Sequence, residues 1–142
     1  MTIAFRQGAV LTIIGPGGIL HALCSTIAAK LERGAWGSRF PRIMNELYQG
    51  SLAAEHATEA MREAQTIRSE LALLPPKEIV WDIDQPGALP PWGERVGSHV
   101  ANMAQYFVTT TGRNLVDEVV DNLESQIEFG GPLEIVPFDA RR

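Results

Sequence analysis

With 142 residues, 45% of them hydrophobic and 20% charged, the chain suits one domain with a self-sufficient apolar core. Cys24 is the only cysteine, which excludes an internal disulfide and favours a reducing compartment. A net charge of −5 argues against nucleic acid as a direct ligand, because Lys and Arg dominate phosphate binding. No apolar run approaches the ~20 residues of a membrane-spanning helix, and the first residues do not read as a signal peptide, so a cytoplasmic location is expected.

Residues Ile3 to Ile14 are apolar and β-prone around Gly8, predicting a bent strand or a hairpin. Gly15-Pro16-Gly17-Gly18 reads as a turn. Ile19, Leu20, Leu23, Ile27 and Leu31 then recur at helical spacing up to Gly34. After the connector Trp36 to Pro41, the apolar residues Ile43, Met44, Leu47 and Tyr48 predict a short helix closed by Gly50. Ser51 is positioned to cap the longest helix, whose stripe runs from Leu52 through Ala57, Met61, Ala64, Ile67 and Leu71 to Leu74. Pro75-Pro76 ends it.

Glu78 to Asp84 alternates as a strand would, with Trp81 on the core side and Asp82 and Asp84 sharing the opposite face. Gln85 to Ser98 reads as a long loop held in order by prolines and Trp92. Tyr106 to Thr110 predicts a strand, Asn114 caps a helix reaching Phe129, and Leu133 to Val136 makes a last strand. In that helix Leu115, Val116, Val119, Val120, Leu123 and Ile127 are expected to face inward. The expected architecture is α+β, a single domain over residues 1–142 with helices packed against a small mixed sheet, including a βαβ crossover through the last helix.

Between Asn114 and Ala140 there is no Lys or Arg, while Asp117, Glu118, Asp121, Glu124, Glu128, Glu134 and Asp139 all fall there. Asp117, Asp121, Glu124 and Glu128 share one helical stripe. Such a face either keeps the protein in solution or steers a basic partner.

Reactive chemistry finds weak support. His21 and Cys24 lie three apart on a helix, but zinc needs at least three protein ligands, and His56 and His99 are distant in sequence. Cys24 sits near the apolar stripe, where thiols are inert. Ser25, Thr26 and Ser38 lack a nucleophile-elbow context. The Gly15–Gly18 turn lacks the Lys-Ser/Thr of a phosphate loop. Asp82 and Asp84, ~7 Å apart by strand geometry, are the best enzymatic candidates, as metal ligands or an acid–base pair. The residue pattern nevertheless calls for no catalytic residue, metal or cofactor. Trp36, Phe40, Tyr48, Trp92 and Tyr106 can serve as interface anchors or as core.

The strings Trp36 to Leu52 (WGSRFPRIMNELYQGSL), Pro75 to Asp84 (PPKEIVWDID), Pro90 to Gly93 (PPWG) and Tyr106 to Leu115 (YFVTTTGRNL) resemble the immunity protein 70 family of bacterial polymorphic toxin systems. The resemblance spans roughly the first helix to the last. It implies a compact α+β protein that neutralises a cognate toxin by occlusion and carries no catalytic residues. An acidic surface fits a basic toxin, such as a nuclease whose cleft attracts phosphate. Two patches are expected as the toxin interface: Asp82, Asp84, Trp92 and Glu94, or Asp117, Asp121, Glu124 and Glu128. A generic protein-binding adaptor and a small metal-dependent hydrolase built on Asp82 and Asp84 are the alternatives.

Overall fold

Gly8 closes the first hairpin. Gln7 pairs with Val10 across a two-residue turn whose first position, Gly8, has φ +61°, a backbone state that costs glycine no steric penalty. In a computed structural model, which describes residues 1–85, 87–93, 96–97 and 100–138, this turn joins β1 (Thr2–Gln7) to β2 (Val10–Pro16). α1 (Gly17–Thr26) follows directly, so the expected Gly15–Gly18 turn is divided between the end of β2 and the first helical turn. Gly15 is needed there because a Cβ would meet the Thr110 methyl at 2.6 Å, where the Thr110 N–H donates to the Ile14 carbonyl at 3.0 Å.

α1 widens into a π-type turn over Ile27–Leu31, and the chain leaves it through Arg33 and Gly34, both at positive φ. The connector that follows is organised by one side chain. Glu32, only 3% exposed, accepts the backbone N–H of Gly37 at 2.9 Å and those of Arg39 and Phe40 at 3.0 Å each. Trp36 donates its indole N–H to the Met44 carbonyl and stacks edge-on against Tyr48, while Phe40 is buried. The short helix Arg42–Leu47 has its N-terminal N–H groups satisfied by buried Glu63, which accepts from Arg42 and Ile43. Burial raises the Glu63 carboxyl, and those two N–H groups partly offset the rise.

The α+β class is borne out, with a four-stranded sheet in the order β2-β1-β4-β3. Every pairing is antiparallel, so the sheet is not mixed. Ser51 caps no helix. Ser51–Leu52 forms β3 against β4 (Leu133–Pro137), and α2 begins only at Ala57 and ends at Leu71. The pairing continues at Gly50, whose carbonyl accepts the Ile135 N–H at 2.9 Å.

Two predicted strands are absent. Pro76–Glu78 makes a 3-10 turn, and the next residues pair with no strand. Instead the Thr26 hydroxyl on α1 accepts from the Val80 N–H at 3.0 Å and donates to the Val80 carbonyl at 3.1 Å. One threonine replaces a strand partner. Tyr106 to Thr110 is likewise a folded-back loop after the Met103–Gln105 turn, with a single bridge between Val108 and Asn114. The expected βαβ crossover therefore does not form.

α3 (Leu115–Phe129) starts as predicted, with Asn114 accepting the Asp117 N–H at 3.0 Å. It packs against α2 and β1, and its Leu115, Val119 and Leu123 join Phe5, Ile27, Met44, Leu71 and Phe107 in the core. Buried Gln126 ties its end to the sheet edge through the Leu52 and Gly131 carbonyls. Ile127 does not face inward: it is 47% exposed, because burial along α3 ends at Gln126.

Candidate functional site

The first expected patch is more internally engaged than its residues suggest. His21, on the α1 side that faces the loop, places Nε2 3.1 Å from Asp82 Oδ1 and Nδ1 2.7 Å from the Tyr48 hydroxyl. Asp82 also accepts the Asp84 N–H at 2.9 Å. The hydrogen bond from His21, aided by that N–H, holds the Asp82 carboxyl below the ordinary aspartate range. A lowered folded-state pKa means that this anchor is complete above the usual value of ~3.9 and is lost only as pH falls through the lower folded value. An NMR titration should therefore give the Asp82 carboxyl a midpoint below ~3.9, and a midpoint at or above it would refute the anchor. Asp84 is exposed, and its carboxylate makes no hydrogen bond among the described residues.

Trp92 is half exposed. Its indole N–H donates to the Tyr106 hydroxyl at 2.8 Å, and its ring meets Trp81 edge-on at 5.4 Å, extending an aromatic row that continues through Tyr106 to Phe107. Trp81 itself is half-buried against the core. Glu94 lies outside the described residues, as does His99.

The second patch differs in its free charge. Three carboxylates of the cation-free stretch are satisfied at home: Glu134 by Arg6 across the β1–β4 pair, Asp117 by Arg68 of α2, and the buried Glu118 by Arg113. Asp139 lies outside the described residues. Asp121, Glu124 and Glu128 are exposed and form no ion pair among the described residues. They share the outer face of α3 with Asp117, and the helix ends beside them in Phe129, 75% exposed. This arrangement works against local stability. Like charges four apart repel, and carboxylates near a helix C-terminus oppose the macrodipole, with no basic residue in the last turn to offset them.

Cys24 is fully buried, and burial, with Glu32 nearby, pushes its thiol far up, so it forms no nucleophilic thiolate. Ser25 and Thr26 are equally buried. His21 turns away from the Cys24 side of the helix towards Asp82. Nothing in the sequence signals a contact across 61 positions. No helix among the described residues is long and apolar enough to cross a membrane.

The profile of the immunity protein 70 family matches residues 5–135, from within β1 to within β4. The chain belongs to that family. The match reaches further than the four resembling strings, covering all three long helices and most of the sheet. Membership brings an immunity role in general, and with it a cognate toxin as partner. No curated protein and no solved structure matches the chain. In this member of the immunity protein 70 family the two acidic patches are thus unequal: one is braced internally, the other is left with open charge.

Proposed function

We propose that the protein neutralises its cognate toxin by occlusion, docking the outer face of α3 against a basic surface of the toxin. The supporting observation is the set Asp121, Glu124 and Glu128, exposed and without ion pairs among the described residues, beside the exposed side chains of Ile127 and Phe129. Carboxylates on a rim speed encounter and penalise wrong partners, while an aromatic beside them supplies apolar contact. A specific interface buries about 800 Å² on each partner, more than this stripe alone, so neighbouring surface joins it. A nuclease fits best as the toxin, since its phosphate-binding cleft is complementary to a row of carboxylates. The protein acts in the cytoplasm, where the toxin does its damage, and performs no chemistry of its own.

Asp82, Asp84 and Trp92, with Glu94 outside the described residues, are the rival surface that this reading sets aside, Asp82 acting as a brace for the loop. Co-expression tests the role: growth of cells producing the toxin encoded beside this gene should be restored by the protein. Unrelieved killing, with the protein present and folded, would overturn the proposal.

A further inference from the structure

We propose that His21, Asp82 and Asp84 form a binding site for a divalent transition-metal ion of the zinc class. Each offers one ligand atom, and the three atoms lie within 4.8 Å of one another. The His21 Nε2 to Asp82 Oδ1 separation of 3.1 Å is close to the spacing of two zinc ligands. Ligands ~2.0–2.1 Å from a tetrahedral ion sit roughly 3.3 Å apart. Asp82 is already fixed by the Asp84 N–H, and Asp84 keeps its own carboxylate exposed on the side of a groove bounded by Gly34, Trp36 and Tyr48. Three protein ligands with one side open to that groove leave room for water or an exogenous ligand in the fourth position.

Tyr48 is what makes His21 suitable. A hydroxyl both donates and accepts. In the metal-free protein Nε2–H donates to the Asp82 carboxylate, and Nδ1 shares a hydrogen bond with the Tyr48 hydroxyl. With an ion bound, the imidazole proton sits on Nδ1 and is donated to the Tyr48 oxygen, which frees the Nε2 lone pair for the metal. The ion replaces the Nε2–Asp82 hydrogen bond and the 3.4 Å contact of Nε2 with the Ser25 hydroxyl, while the bond between Nδ1 and Tyr48 is kept. Such an outer partner on the second imidazole nitrogen is usual for metal-binding histidines. An imidazole with two carboxylates favours zinc-class ions over magnesium or calcium, which prefer oxygen ligands alone. The other histidine–carboxylate pair, His56 with Glu46, is unsuited, because the Arg42 guanidinium already occupies the Glu46 carboxylate and repels a cation.

This inference goes beyond the immunity role and is tested on the protein alone, so its outcome and that of toxin neutralisation are separable. Calorimetric titration with Zn²⁺ should give one ion per chain, and the Nε2 resonance of His21 should move, with the ring proton found on Nδ1 in the loaded protein. Asp84→Asn, which removes no hydrogen bond of the Asp84 side chain, should weaken binding at least tenfold and leave the melting temperature of the metal-free protein unchanged. Tyr48→Phe should weaken it by roughly 10–100-fold through the positioning of His21. Absence of heat at millimolar Zn²⁺, binding indifferent to Asp84→Asn, or an unshifted His21 resonance would each overturn the site.

Discussion

Glu32→Ala should lower the unfolding free energy by about 3–5 kcal/mol, because it leaves several backbone donors without an acceptor. Three backbone N–H groups, of Gly37, Arg39 and Phe40, lose their acceptor together. Each unsatisfied buried donor costs about 1–3 kcal/mol, and water reaching the loop recovers part of that sum. Glu32→Gln should cost less, because the amide oxygen still serves Arg39 and Phe40 while its NH₂ group faces the Gly37 N–H. Urea unfolding of the two variants measures both effects, and a loss below about 1 kcal/mol for the alanine variant would contradict this role. The Trp36 to Pro41 connector then has a physical explanation. It is the backbone that wraps a buried carboxylate, with Trp36 and Phe40 closing it against Met44 and Tyr48.

The combined variant Asp121→Asn, Glu124→Gln and Glu128→Gln should slow association with the toxin by tenfold or more at low salt and flatten the salt dependence of the association rate. Dissociation should change far less, since rim charges act mainly on encounter. The same variant should be at least as stable as the wild type, because it removes like-charge neighbours and relieves the C-terminal end of α3. Slower binding with undiminished stability separates a docking face from a solvated one. Stopped-flow association at several ionic strengths, beside a urea unfolding curve, measures the two quantities. An unchanged association rate would remove α3 from the interface.

Elements fixed by local chemistry were legible in the sequence. The Gly8 hairpin, the apolar stripe of α1 and the Asn114 cap each depend on a few adjacent residues, whereas α2 stops at Leu71, ahead of Pro75-Pro76. What failed depended on distant partners. Ser51-Leu52 has the look of a helix start and becomes a strand because β4 offers an open edge. Ile79 to Ile83 alternates like a strand, yet no ladder forms, and the Val80 N–H and carbonyl are taken by Thr26. The same holds for the candidate site. The stripe on α3 follows from helical periodicity, whereas the Arg68–Asp117 pairing that leaves only part of it free requires the tertiary structure. The His21–Asp82 contact was hidden for that reason too.

Growth protection by two patch variants against the cognate toxin tests the central claim most directly. With equal amounts of folded protein confirmed in the cell, the triple α3 variant should protect poorly, while Asp84→Asn combined with Trp92→Ala should protect nearly as well as the wild type. Full protection by the α3 variant, with loss in the Asp84 and Trp92 variant, would contradict docking through α3.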